Sequence, residues 1–323
     1  MNAQSRQIKF LILFSACYLL FVITGCSQAP YYKESRLLMG TIVEITCRDK
    51  GAIGEAFEEI KKIEKIANNF NPGSEISRLN RDGRIKASPD LLDMVKESLK
   101  FYSLSDGAFD ITVSPIVEIW KERIRQFQDK SPDISLPAGE QIKDKLRLVG
   151  SDKITIDDKE SLIAFTAAGM SIDLGAIAKG YAVDKAIRRL RELGINSAMV
   201  NAGGNMYCLG KKNGRAWRIG IQHPRRADAI LFSLELENQA AATSGDYQQY
   251  FNAGSKRYSH IINPKTGYPV DSGVISATII AKDATSADAL STTVFVLGKE
   301  KGSQLLKRMP EAEARIIKES DLL

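Results

Sequence analysis

The sequence predicts an α+β protein in which helices pack on antiparallel sheets. Three observations carry that reading. Helical periodicity dominates the first third of the body. Strand-like runs crowd the last half in hairpin-like succession. No alternating strand–helix pattern of a doubly wound parallel sheet runs through the chain.

The elements follow in order. "GTIVEITC" (40–47) alternates as a half-buried strand does. "EAFEEIKKIEKIANNF" (55–70) sets Phe57, Ile60, Ile63, Ile66 and Ala67 on one helical face, and "NPGSE" breaks it. Ser88, Pro89 and Asp90 start a second helix that runs to about Ser103, with proline tolerated in the first turn. The polar stretch 121–140, with two prolines, is expected to be an exposed excursion. "KITI" and "LIAFTA" are strands around the turn residues "DDKES". "GYAVDKAIRRLRELG" is a helix ended by Gly194. Strand-like runs follow at 196–201, 217–222, 230–237, 257–262 and 274–281, and a last helix spans Thr285 to Leu297. No internal repeat or low-complexity segment interrupts the series.

The N-terminus suggests a compartment. Arg6 and Lys9 precede an apolar run, Phe10–Ile23, shorter than the ~20 residues that span a bilayer, which fits a signal peptide over residues 1–25. It ends in "ITGC", which resembles a bacterial lipobox with Cys26 as the lipidated residue; an uncleaved anchor or an ordinary secretory signal is the alternative. The expected location is therefore extracytoplasmic, lipid-anchored at a membrane. The remaining 26–323 suffices for one domain or two intimately joined ones. Apolar content of 44% and charged content of 26% are ordinary for a globular protein. A net charge of +6 with interspersed lysine and glutamate argues against nucleic acid, and "KKNGR" (Lys211–Arg215) reads as a hairpin tip. Cys47 and Cys208 show no metal spacing and read as buried thiols. With only His223 and His260, a histidine-rich zinc site is excluded, and a bound metal must rely mainly on oxygen ligands, which points to magnesium or calcium.

Several short stretches carry candidate chemistry. "DLGAIAKG" (173–180) has two glycines five apart, yet it is neither a Walker loop nor a G-x-G-x-x-G fingerprint. A helix start with Lys179 favours an anion, and Asp173 suits hydrogen bonds from a ligand; a plain turn is the alternative. In "TSADALSTT" (285–293), Thr285 and Asp288 match a capping box, while Asp288 and Thr292 share a helical face as hard oxygen donors. His260 stands before the turn in "NPKTGYP", Asp106 and Asp110 flank an aromatic in "DGAFDITVSP", and "NAGGN" (201–205) is a turn or a close approach to a ligand.

Taken together, "MGT", "NPGSEISRLN", "GAFDITVSP", "DLGAIAKGYAVD", "NAGGN", "TSGDY", "SHIINPKTGYPV" and "ATSADALSTTVFVLG" occur in an order that resembles the ApbE family, the FAD:protein FMN transferases, over nearly the whole chain after the leader. The resemblance implies a single ApbE-like (T-fold-like) domain over 26–323. It also implies Mg²⁺-dependent transfer of FMN from FAD to a threonine hydroxyl of a target flavoprotein, with release of AMP. Targets would be membrane-associated redox subunits bearing a Ser/Thr-Gly-Ala-Thr type sequence. It implies metal ligation by Asp288, Thr292 and the Ala176 carbonyl, and FAD contacts from Met39, Phe70, Ala108, Phe109, Asp110, Asp173, Lys179 and Ile262. For the proton of the acceptor hydroxyl, His260 has the suitable ordinary pKa, with aspartates near the metal as competitors. Two other readings stay open: a metal-dependent FAD pyrophosphatase giving FMN and AMP, and a non-catalytic FAD-binding lipoprotein.

Overall fold

The computed structural model describes residues 29–129, 135–254 and 256–322. The expected leader 1–25 and Cys26 lie outside the described residues. The framework is a seven-stranded sheet whose neighbouring strands all pair antiparallel. Its strands, in chain order, are β1 (Tyr32–Leu38), β2 (Thr41–Cys47), β6 (Ala198–Ala202), β7 (Asn205–Leu209), β10 (Gln239–Gly245), β13 (Val274–Ala281) and β14 (Glu313–Lys318). They stand in space as β1-β2-β6-β7-β10-β13-β14. β13, "VISATIIA", is buried at every position, as a strand covered on both faces must be.

One face carries three helices: α1 (Lys50–Ala67), α6 (Ala178–Glu192) and α7 (Ala284–Leu306). Phe57, Ile60 and Ile63 of α1 and Ala182, Val183, Ala186, Ile187 and Leu190 of α6 join Val43, Ile45, Ala277 and Ile279 of the sheet in the main core. The opposite face is closed by a hairpin of β8 (Trp217–His223) and β9 (Arg226–Leu236). Its Trp217, Ile219, Ile221, Leu234 and Leu236 cover Met206, Cys208, Ala241 and Ile280. Cys47 and Cys208 are buried and unbonded to each other, and burial pushes the Cys208 thiol up to about 12. The buried-thiol reading holds.

A third, smaller cluster forms to one side of this body. Here α4 (Ser114–Gln128) and α5 (Gly139–Leu146) pack against the two-stranded β11 (Tyr250–Ala253) and β12 (Lys256–Ser259). Ile116, Trp120 and Ile124, at i, i+4 and i+8, bury one face of α4 against Ile142, Phe251 and Ile262. Trp120 stacks on Tyr258 and Phe251, and its indole N–H donates to the Gly267 carbonyl at 2.8 Å. The sequence expectation of an excursion from 121 onward is corrected here: the helix runs to Gln128. Polarity on one side of the segment concealed the apolar stripe that crosses its start.

Two further elements went unforeseen or were shifted. Ser74 caps a short helix, α2 (Glu75–Asp82), where only a break was expected. The helix expected over 55–70 instead occupies 50–67, with Asp49 as its cap. The remaining pieces are α3 (Pro89–Leu104), capped by Ser88, and a small sheet of β3 (Arg84–Lys86), β4 (Ile154–Asp157) and β5 (Leu162–Phe165). α7 is interrupted at Gly298, where φ is +80°, one residue after the expected end. "KKNGR" is a hairpin tip, with Lys212 and Arg215 bridged around Asn213 and Gly214 at positive φ. Among the described residues no helix is long and apolar enough to cross a membrane.

Candidate functional site

A cavity of about 560 Å³ opens between the helix-covered body and the α4–β11–β12 unit. Met39, Phe70, Ala108, Phe109, Asp110, Asp173, Ala176, Lys179, His260, Ile262, Asp288 and Thr292 all line it. Residues from positions 39 to 292 thus converge on one space, within the 300–1,000 Å³ typical of small-molecule sites.

The body wall is built where two helix starts meet. The Gly180 N–H donates to Asp288 Oδ2 at 2.9 Å. Gly180 stands in the first turn of α6, whose first ladder bond runs from the Tyr181 N–H to the Ile177 carbonyl, so Asp288 takes up an otherwise orphan N–H and the Ala176 carbonyl precedes the ladder. Gly180 has to be glycine for this approach. A Cβ there would penetrate the Ala284 carbonyl and lie 2.8 Å from the Asp288 Cβ. Asp184, one turn further along α6, accepts from the Ala284 and Thr285 N–H groups, each at 2.8 Å, and from the Thr285 hydroxyl at 2.6 Å. Burial raises Asp184 to about 6, against the pull of those donors. The start of α7 is capped by Asp283, which accepts from Ser286 N–H. The capping-box reading of Thr285 and Asp288 is therefore corrected. Thr285 serves Asp184, and Asp288 is left to face Gly180 and the cavity.

The donor set on this wall fits a hard divalent cation. The Asp288 carboxylate, the Thr292 hydroxyl one turn on and the Ala176 carbonyl are all oxygen donors, without sulfur or imidazole. Among the described residues no group of three or more His, Cys, Asp or Glu forms a metal site. One carboxylate leaves a cation there with unfilled positions, as a hard cation that keeps waters in its shell requires. Ser244 holds Thr292 from the sheet side, its hydroxyl 3.2 Å from Thr292 Oγ1 and 2.8 Å from Ser291 Oγ. Burial pushes the Asp288 carboxyl upward, while Lys179 and the Gly180 N–H oppose it.

The opposite wall carries His260. The Gln249 carbonyl accepts both its backbone N–H (3.0 Å) and its Nδ1–H (3.1 Å), which leaves the Nε2 lone pair as the ring's free acceptor. Burial, reinforced by Lys179 and Lys121, lowers its pKa to about 4. The ordinary pKa used in the sequence argument is thus corrected: the imidazole is neutral across the physiological range. His223 lies elsewhere and accepts the Arg225 N–H in a turn.

Asp173 and Lys179 are both engaged. Asp173 Oδ1 accepts from Gly175 N–H at 2.8 Å and its Oδ2 pairs with Lys121 Nζ at 2.9 Å. Lys179 Nζ donates to the Gly175 carbonyl at 2.8 Å. Asp110 is buried, and its oxygens accept from Thr112 and Ser151. Met39 sits at φ +55° in the β1–β2 turn, its N–H donating to Glu64 Oε1 at 2.6 Å. Phe70 is 84% exposed, a large aromatic face at the cavity. In "NAGGN", a Cβ on Gly203 would strike Thr41, so the turn needs glycine, and Asn205 after it lines the cavity. Lys121, Glu64, Gln249 and Asp184 were missed from sequence. Only helical spacing through Trp120 and Lys121 carried a signal for any of them.

The fold and this cavity define an α+β protein with a small-molecule site held between an antiparallel body and a smaller lateral unit. The ApbE family model matches residues 39–316. The FAD:protein FMN transferase of Haemophilus influenzae is 32% identical over 310 residues, covering 89% of this chain and 88% of that protein. A Klebsiella pneumoniae protein of the same name is 30% identical over 294 residues, covering 89% of each. Among solved structures, the ApbE protein of Thermotoga maritima superposes with a TM-score of 0.80 at 33% identity, over 90% of this chain and 95% of that one. The flavin transferase ApbE of Vibrio cholerae gives 0.79 at 29% identity, over 91% and 95%. The chain belongs to the ApbE family.

Proposed function

We propose that this protein transfers FMN from FAD to a threonine hydroxyl of an acceptor flavoprotein, with Mg²⁺, releasing AMP. It is an enzyme of flavin transfer, as the names of its relatives over nine-tenths of their length support. The observation that carries the finer reading is the meeting of Asp288, Thr292 and Ala176, ahead of the α6 ladder, with His260 across one cavity.

Asp288, Thr292 and Ala176 O would hold the cation, which supplies charge neutralisation at the diphosphate when bound. The chain's own residues account for the rest. Lys179 adds positive charge where AMP departs with its phosphate. Phe70 and Met39 offer aromatic and apolar surface to a ring, and Ala108, Phe109 and Ile262 line the same space without competing polar groups. His260, proton on Nδ1 and lone pair on Nε2, accepts the proton of the incoming threonine hydroxyl. The threonine oxygen bonds to the FMN phosphorus, the bond to the AMP oxygen breaks, and the proton stays on His260 until solvent takes it. An anionic substrate between the walls offsets the field of Lys121 and Lys179, so proton affinity at His260 rises when substrate is present.

The leader and Cys26 support, from sequence alone, a protein tethered by lipid on the extracytoplasmic side of a membrane. Its acceptors would carry a Ser/Thr-Gly-Ala-Thr type sequence. The test incubates the protein with FAD and Mg²⁺, with and without an acceptor domain, and follows AMP and a fluorescent covalent band. Acceptor-dependent AMP with the band supports transfer. Acceptor-independent AMP with free FMN means a pyrophosphatase, and bound FAD without turnover means a binding protein.

A further inference from the structure

A basic side chain in this cavity has no assigned part. Lys121 lies one residue after Trp120 on α4, so the stack that anchors Trp120 also fixes where Lys121 emerges. Its Nζ is 2.9 Å from Asp173 Oδ2 and 5.8 Å from the centre of the Phe70 ring. Its other ionic neighbour, Glu118, is a looser, more exposed contact at 3.6 Å. Burial alone would lower the ammonium's pKa, but Asp173 outweighs it and the charge is kept. The cavity therefore presents a cation and a carboxylate side by side next to an exposed aromatic face, where a lone Asp173 carboxylate was expected.

Paired donor and acceptor groups 2.9 Å apart match a ring edge on which carbonyls alternate with an N–H. The flavin's pyrimidinedione is such an edge, carbonyl–imide N–H–carbonyl. A planar ring laid on Phe70 would turn that edge toward the Lys121–Asp173 pair. Adenine can meet such a pair through its 6-amino group beside N1 or N7, but it has no carbonyl–N–H–carbonyl run, and the ADP arm below separates the two rings. We propose that Lys121 is a flavin-recognising residue. It donates to a carbonyl of the pyrimidinedione, while Asp173, fixed by Lys121 and Gly175, accepts the imide N–H. The assignment rests on the flavin-transfer reading and deepens it: the pair selects the transferred half of the substrate rather than the departing half.

The test measures binding of FAD, FMN and ADP, each with Mg²⁺, to the wild-type protein and to Lys121→Met and Lys121→Arg. Methionine keeps the apolar stem, and arginine keeps the charge. Loss of a charged hydrogen bond predicts about 10- to 100-fold weaker FAD and FMN binding to Lys121→Met. ADP binding should stay within about twofold, Lys121→Arg should recover much of the loss, and thermal melting verifies that both variants are folded. The flavin absorption band should also shift between wild type and Lys121→Met. Unchanged FAD affinity in Lys121→Met overturns the assignment alone. An equal loss for ADP overturns it in favour of a general electrostatic contribution. Wild-type protein that binds neither FAD nor FMN overturns both this inference and the flavin-transfer reading.

Discussion

The two walls of the cavity are built differently. The body wall comes from two helix N-termini locked together by Gly180, Asp288 and Asp184, behind a seven-stranded sheet. The lateral wall carries Lys121 on α4 and His260 just past β12, in a unit with its own small aromatic core and no strand in the main sheet. In the proposed reaction the body wall would hold the cation, and the lateral wall, anchored by its Trp120 stack, would supply His260 and Lys121 to the substrate.

That contrast is most easily broken at Asp288. Asp288→Ala should reduce AMP formation by about 10³-fold, the scale of several kcal/mol of lost charge stabilisation, while FAD binding without metal persists. AMP release and an FAD titration read the two effects separately. His260→Gln should lower turnover by about 10²-fold, and its KM for FAD should change little. The same variant sharpens the electrostatic account. The folded pKa of His260, about 4, lies below its ordinary 6.5, so its contribution to stability is present above pH 6.5 and is lost as pH falls through 4. Asp184 has the opposite sign: raised to about 6 from 3.8, it penalises the fold above pH 6 and that penalty fades toward pH 3.8. Denaturation of the ligand-free protein between pH 7 and 4 should therefore be less acid-sensitive in His260→Gln than in wild type.

Gly180→Ala tests the body wall through packing. Its methyl would push against the Ala284 carbonyl, and a cost of about 1–3 kcal/mol is expected from such overpacking, visible in thermal melting. Mg²⁺ dependence should weaken with it, because Asp288 and Ala176 shift together. A fully stable Gly180→Ala protein with unchanged Mg²⁺ dependence would contradict the role given to this helix contact.

Much of this was legible in the sequence, for particular reasons. Period-2 alternation located β2, helical spacing located α1, which buries one face, and the Ser88-Pro89-Asp90 start located α3. The blocks containing Asp173, His260 and Asp288 were recognisable, and all three line one cavity. What escaped depended on contacts far apart in the chain. Gly180 stood in the sequence only as the second of two glycines five apart, but it permits contact with Ala284, over a hundred residues later. Asp184 looked like an ordinary polar helix position, yet it secures the start of α7. Thr285 and Asp288 satisfied a local capping rule that the fold overrides with Asp283 and Gly180. Lys121 fell in a stretch whose polarity suggested a loop, and its partner Asp173 lies 52 positions on.

The central claim is that one cavity couples FAD cleavage to an acceptor hydroxyl. It is tested most directly by the acceptor dependence of AMP release from FAD and Mg²⁺. The account predicts that AMP appears in step with covalently attached flavin, and that both disappear when the acceptor threonine is replaced by alanine. AMP released at the same rate without any acceptor, with FMN left free in solution, would contradict it.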